Sequence, residues 1–209
     1  MPRPSGARNH DFDEKRASLL DTLTEFAVAT ELKRPSLRQF ALAARQSEPT
    51  LRHYFGDRQG LVIEIIKNIG ARGKMVWASV AAPAADPATA LSKYLRMTEA
   101  GLSEHGYART HAFGLIEGLA DPVVGKVYLE VLLEPSLQAF SDKLSATPGG
   151  PKDPDTLRAA SLAATGPLFM LGLHQELLNG RETLPINVEP VFRHLNSWLG
   201  GAFTPPPEL

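Results

Sequence analysis

Residues 36–61 read SLRQFALAARQSEPTLRHYFGDRQGL, and the fold follows from how this stretch divides. Pro35-Ser36 opens a short helix, Ser36 to about Ala44, that turns Leu37, Phe40 and Ala41 inward. A few residues later, Glu48 to about Tyr54 reads as a second short helix. Leu51, Tyr54 and Phe55 anchor it, and Glu48, Thr50, Arg52 and His53 face outward. So short a helix is not stable alone, because nucleation costs more than its few hydrogen bonds return. Both flanks supply the missing support. Upstream, Leu19, Leu20, Leu23, Phe26 and Ala27 recur at helical spacing behind an acidic start at Asp11, Asp13 and Glu14, which predicts a helix from Asp11 to Ala29. Downstream, Asp57 is placed to cap a longer helix through Leu61, Ile65, Ile66 and Ile69. Two short helices joined by a tight turn and packed on longer neighbours make a helix-turn-helix unit.

Helical periodicity continues beyond this unit. The segment Ala81–Pro87 (AAPAADP) interrupts it and divides the chain into 1–76 and 77–209. Helices are then predicted over about Ala88–Glu104, Tyr107–Leu119 and Pro122–Leu144, the last kinked at Pro135. Ala146–Pro154 (ATPGGPKDP) is a loop, Asp155–Asn179 a helix kinked at Gly166-Pro167, and Gly180–Pro185 a second loop. The last helix carries Val188, Val191, Phe192, Leu195, Trp198, Leu199 and Phe203 at spacings of three and four. The closing TPPPEL is expected to be disordered. No alternating run long enough for a sheet occurs. The expectation is an all-α protein of about nine helices, with a three-helix helix-turn-helix domain at the N-terminus and a second helical domain after it.

Of the 209 residues, 43% are hydrophobic and 22% charged, an ordinary globular composition with enough apolar material for a sizeable core. Cysteine is absent, which excludes disulfides, thiolate metal sites and cysteine nucleophiles. There is no H-x-x-x-H, glycine-rich phosphate loop or G-x-S-x-G, so the sequence argues against an enzyme and against a cofactor. His105 and His111 lack metal-ligand helical spacing. The longest uncharged stretch, Ala159 to Gln175, is interrupted by Ser161, Thr165, Pro167 and His174 and reads as too short and too polar for a bilayer. The N-terminal MPRPSGARNHDFDEK has no apolar h-region. A cytoplasmic protein without a membrane partner is expected. The net charge of −1 conceals an asymmetry: residues 1–76 hold 13 Lys+Arg against 9 Asp+Glu, a net of +4, and residues 77–209 a net of −5. Between Lys33 and Arg58, the cations Lys33, Arg34, Arg38, Arg45, Arg52 and Arg58 face only Glu48 and Asp57. A compact basic patch on an otherwise acidic chain points to a polyanion such as DNA. The second short helix fits a major groove about 12 Å wide.

This pattern resembles the N-terminal domain of the tetracycline-repressor family of transcriptional regulators. The family's motif is a threonine or serine, a helix of the form xxIAxxAG, then VSxxTLYxYFxxKxxL. Ser36, Phe40, Ala41, Ala44, Ser47, Thr50, Leu51, Tyr54, Phe55 and Leu61 stand at matching positions, and Arg58 stands where lysine is usual. Three positions depart from it: Arg45 replaces the turn glycine, Gln46 the following valine, and Arg52 the tyrosine after Thr50-Leu51. The resemblance implies a dimeric, ligand-responsive regulator, in the usual case a repressor, bound to a palindromic operator on double-stranded DNA. Arg38 then resembles positions that reach base edges, where arginine reads guanine O6/N7. Glu48 is suited to accept from cytosine N4, and Pro49 and Thr50 offer apolar contacts. Ser47, Arg52, His53, Tyr54 and Arg58 look like phosphate contacts that fix register.

In the same family the later helices enclose an apolar pocket for a small, mostly apolar effector. The residues here with the matching chemistry are Tyr94, Met97, Tyr107, His111, Phe113, Tyr128, Phe169 and His174, with Glu117 the main acid and His174 the leading candidate. The stripe of the last helix is wider than one neighbour needs and, with Ala159–Leu173, suits a homodimer interface. The alternative is a helical small-molecule carrier or adaptor that does not bind DNA.

Overall fold

The computed structural model of the chain describes residues 5–29, 34–104 and 106–202. The expected all-α class holds, with no strand among these residues. The α-helices in chain order are α1 (Ser5–Ala29), α2 (Leu37–Ala43), α3 (Glu48–Phe55), α4 (Arg58–Ala81), α5 (Pro87–Glu104) and α6 (Tyr107–Ala120), then α7 (Pro122–Tyr128), α8 (Glu134–Ala146), α9 (Pro154–Leu171), α10 (Gly180–Thr183) and α11 (Val188–Ala202). Residues Leu129–Leu133 join α7 to α8, and Gly172–Leu177 extend α9, both with π-helical i→i+5 bonding. Counted as continuous rods these are ten helices among the described residues, against about nine expected. Lys33, His105, Phe203 and the TPPPEL tail lie outside the described residues.

Several boundaries moved for identifiable reasons. Helix α4 runs on to Ala81, where AAPAADP ends it. The kink expected at Pro135 takes the form of the π segment just before it. Proline lacks an N–H, and its ring strikes the carbonyl four residues back, so the preceding turn widens. Pro167, by contrast, lies inside α9, and the irregular bonding begins five residues later at Gly172. The loop expected at 180–185 contains the single turn α10, entered through Asn179 at φ 57°. The stretch Pro154–Leu177 is continuous over 24 residues, with a mean hydropathy of 1.2 in its most apolar window. Its length is close to that of the helix expected over Asp155–Asn179, but it is more apolar than the reading of Ala159–Gln175 as too polar for a bilayer allowed. It meets the length and composition for crossing a membrane, the one such helix among the described residues, and one third of that window is buried within the protein.

The chain forms two compact units, the first from Met1–Arg72 with Ala112–Leu132, the second from Gly73–His111 with Leu133–Leu209. The division read from sequence, at 76/77, assigned 112–132 to the second. In the first unit, Leu23 of α1, Phe40 of α2, Leu51 of α3 and Leu61, Ile65 and Ile66 of α4 are fully buried together. Each such side chain contributes about 1.5–3 kcal/mol relative to exposure. Phe26 meets the Phe40 ring edge-on at 5.6 Å. Helices α6 and α7 approach so closely that a Cβ at Gly118 would stand 2.9 Å from the Gly125 Cα. In the second unit α5, α8, α9 and α11 pack around Leu91, Leu95, Phe140, Leu144, Ala164 and Leu168. Tyr94 stacks on Phe140 at 4.1 Å. The ammonium of Lys143, 2% exposed, donates to the Val80 and Ala82 carbonyls and so closes the end of α4.

The turn between α2 and α3 shows how local sequence sets the unit. Gln46 N–H donates to the Ala41 carbonyl at 2.9 Å and Arg45 N–H to the Leu42 carbonyl at 3.1 Å, a Schellman closure. That closure places Arg45 at φ 53°, in the left-handed region where glycine is favoured. Arg45→Gly should therefore change stability by zero to about +1 kcal/mol, relief of strain offset by added unfolded-state entropy. Thermal unfolding of the variant measures it, and a clear loss of stability would show that Arg45 makes compensating contacts.

Candidate nucleic-acid interface and ligand cleft

Both short helices begin on serine caps. Ser36 Oγ accepts from Gln39 N–H at 3.3 Å while Gln39 Oε1 accepts from Ser36 N–H at 2.8 Å, a reciprocal capping box. Ser47 Oγ accepts from Thr50 N–H at 3.2 Å and lies 2.8 Å from the Thr50 hydroxyl, so the cap of α3 engages two residues expected at the DNA surface. Leu51 and Phe55 bury one side of α3. Pro49, Arg52 and His53 lie exposed on the opposite side, and Glu48 and Thr50 are half-buried. Arg38 is exposed on α2. Tyr54 is half-buried, its ring 4.9 Å from Phe12 of α1. Arg16 of α1 pins the end of α3: it donates to the Tyr54 carbonyl at 3.4 Å, pairs with Glu64 at 2.5 Å and lies 5.2 Å over the Phe55 ring.

Arg58 is placed differently from expectation. Its Nη2 and Nη1 donate to the two carboxylate oxygens of Glu117 at 2.5 and 3.0 Å, and its Nε donates to the Pro35 carbonyl at 2.7 Å. Arg34 Nε reaches the same carboxylate at 3.2 Å. Glu117 is 1% exposed. A carboxylate so buried requires paired cations, and it is met by Arg58, partly buried, and by Arg34, whose side chain stays exposed. The role of Arg58 as a displayed phosphate contact is corrected accordingly: its guanidinium is committed inside the first unit. Glu117 likewise is not the acid of a ligand pocket. The sequence carried no signal for this meeting of residues 34, 58 and 117.

The residues expected to line a ligand pocket divide between the units. A narrow cleft in the second unit, of about 20 Å³, has walls that include Tyr107, His111, Phe169, Thr165 and Leu177. A second of about 60 Å³ is bounded by Trp77, Tyr94, Met97 and Val80. Thr98, Tyr107 and Ser136 line both. Five of the eight expected residues, Tyr94, Met97, Tyr107, His111 and Phe169, thus come together. The other three do not. Phe113 is core of the first unit, and Tyr128 fills the space over Gly114 there. His174 sits in the π segment with its Nδ1 2.7 Å from Gln175 Nε2, and packs so tightly on Gly180 that a Cβ at that glycine would lie 2.3 Å from the ring. Trp77, Thr98, Ser136 and Thr165 were missed because nothing in their spacing separates them from core residues. Burial holds the Tyr107 phenol up at about 12 and His111 down at about 4.

The stripe of α11 is largely used within the second unit: Phe192 and Leu195 are buried there, and Val188, Val191 and Leu199 pack against its core. Trp198 is 71% exposed, and on α9 Leu162 and Met170 are exposed as well. No group of three or more His, Asp or Glu placed to hold a metal ion occurs among the described residues. The chain matches no protein-family model and no curated protein.

Two outcomes test this geometry. Glu117→Gln should lower stability by about 2–4 kcal/mol in denaturant unfolding, because two arginines lose their common counter-charge. Arg58→Ala should cost more than Arg34→Ala, since Arg58 makes two of the three bonds to Glu117; small equal losses would mean that solvent screens the cluster. His111 sets a pH dependence. Above pH 6.5 the ring is neutral folded and unfolded; as pH falls from 6.5 through about 4 the unfolded chain binds a proton the folded one refuses. Stability should decline across that window by up to about 3 kcal/mol. His111→Gln should remove that part of the decline when unfolding at about pH 7 and about pH 4.5 is compared.

Proposed function

We propose that this protein is a DNA-binding transcriptional regulator of the tetracycline-repressor type, a homodimer whose hold on its operator is released by a small effector. The observation that carries the reading is the first unit's capped α2–turn–α3 arrangement. The left-handed residue stands at the family's turn glycine, and α3 presents Pro49, Arg52 and His53 away from the core. A recognition helix anchored on one side and polar on the other is what major-groove docking requires. Arg38 is assigned to base reading and Glu48, Pro49 and Thr50 to discrimination at the helix start. Arg52 and His53, with Ser47 and Tyr54 beside them, are assigned to the phosphate backbone. Two copies related by a two-fold axis would set their recognition helices about 34–36 Å apart on a palindromic operator. The exposed Trp198, Leu162 and Met170 are the apolar surface that favours pairing of copies. Effector binding in the clefts of the second unit would favour a conformer with lower DNA affinity, by linkage. A cytoplasmic location goes with this reading.

One observation favours the alternative of a carrier or adaptor: Arg34 and Arg58, two of the six cations in the basic patch, are tied to Glu117. A mobility-shift assay on the DNA upstream of the protein's own coding sequence separates the two. A regulator binds it, and Arg38→Ala should weaken operator binding by about 1–3 kcal/mol and relax preference at one base pair per half-site. Arg52→Ala should weaken operator and random DNA alike and lower the salt slope by about one. Trp198→Glu should sediment as a monomer and lose operator affinity. Absence of DNA binding selects the carrier.

A further inference from the structure

The turn between α2 and α3 holds a residue that its backbone disfavours. Arg45 stands at φ 53°, and among the described residues the other non-glycine residue with positive φ is Asn179, at 57°. Asparagine visits the left-handed region readily, because its short polar side chain bonds locally, whereas arginine enters it under strain. No polar contact of the side chain offsets that strain. The Arg45 N–H closes the turn on the Leu42 carbonyl, a bond that any residue except proline could make. The side chain itself is exposed, and among the described residues it has no hydrogen-bond or ion-pair partner. Arg34 and Arg58, by contrast, pair with Glu117.

Position supplies the guanidinium with an object. Arg45 lies three residues before Glu48, where α3 begins. Three residues span at most about 10 Å of chain. With α3 in a major groove about 12 Å wide, the phosphates that wall the groove come within reach of a long side chain on that turn. Gln46 and Ser47, which follow, are exposed as well, so the turn is open to a partner. Backbone outliers of this kind concentrate where a ligand is held, and a guanidinium is shaped for two-point contact with a phosphate.

We propose that Arg45 is a further contact to the DNA phosphate backbone, held on the turn in spite of the strain in its left-handed backbone. This rests on the reading of α2 and α3 as a DNA-binding unit. A phosphate carries no base identity, so the contact strengthens binding to every sequence and fixes the register of α3 without selecting bases.

The test measures thermal unfolding and DNA binding on the same variants of the full chain. Arg45→Asn and Arg45→Gly remove the charge and relieve the strain, and Arg45→Lys keeps both. Binding is followed by fluorescence anisotropy on the upstream duplex and on a random duplex, between about 50 and about 200 mM salt. Arg45→Asn and Arg45→Gly should melt at or above the temperature of the parent. Both should nevertheless bind either duplex about three- to tenfold more weakly at about 100 mM salt, with the salt slope lowered by about one. Arg45→Lys should keep the parent's slope. Ethylation interference on the upstream duplex should lose one phosphate per bound copy in Arg45→Asn. A role confined to folding would move stability and binding in the same direction. The proposal is overturned if Arg45→Asn binds both duplexes with the parent's affinity and slope, or if Arg45→Lys loses as much slope as Arg45→Asn. Should Arg45→Asn not fold, Arg45→Gly carries the same comparison. A parent chain that binds neither duplex removes the regulator reading and this contact together, whereas a parent that binds and Arg45 variants that bind equally well remove the contact alone.

Discussion

A single carboxylate organises the first unit. Glu117 comes from α6, late in the unit's sequence, yet it closes on Arg58 at the start of α4 and on Arg34 just before α2. Arg58 in turn holds the Pro35 carbonyl, so the strand of chain leading into the helix-turn-helix is fixed from both ends. Desolvating such a group is tolerable only with its cations in place, which makes the cluster sensitive to the loss of any member. Nearby contacts reinforce it: Gln59 donates to Asp121 at 2.7 Å, and the Gly118–Gly125 approach brings α7 against α6. Segment 112–132 belongs to this unit because its charge and its small residues both meet partners there.

The same cluster edits the electrostatics of the chain. In the basic patch that stands out in the sequence, Arg58 and the still exposed Arg34 pair with Glu117, while Arg38, Arg45 and Arg52 are exposed on or beside α2 and α3. The aromatic residues of the second unit are left without the acid that composition would assign to them.

Much of the fold was legible because its signals are local. Serine caps, the Asp57 cap with Gly60 N–H at 2.8 Å, and three-four spacing of apolar residues place α2, α3, α4 and α11 within a few residues of their ends or starts. The left-handed turn was legible through the family's glycine position, although arginine occupies it. Long-range meetings were not legible. Nothing along the chain indicates that Arg34, Arg58 and Glu117 converge, that His174 packs on Gly180, or that Leu195 completes its own unit's core. The π segments were half visible: Pro135 announces a defect, and Gly172–Leu177 has no comparable local cause. The aromatic residues of the clefts were recognisable by type, but Phe113 and Tyr128 share that type and serve the other unit's core.

The discontinuity of the first unit has a bearing on how such a chain evolves. Its proline-rich interruption at AAPAADP looks like a natural seam for exchanging modules between proteins, yet a cut there would leave 112–132 behind, and with it the counter-ion of Arg58 and the glycine contact of α7. The helix that must travel, α6, begins with Tyr107 and His111 in the cleft wall and carries Glu117 two turns later. Inheritance of the cavity and inheritance of the helix-turn-helix support are therefore linked on fourteen residues. Substitutions that adapt one end of α6 to a new guest are constrained by what the other end must hold, which favours drift at the opposite walls, on α5, α8 and α9, over change along α6 itself.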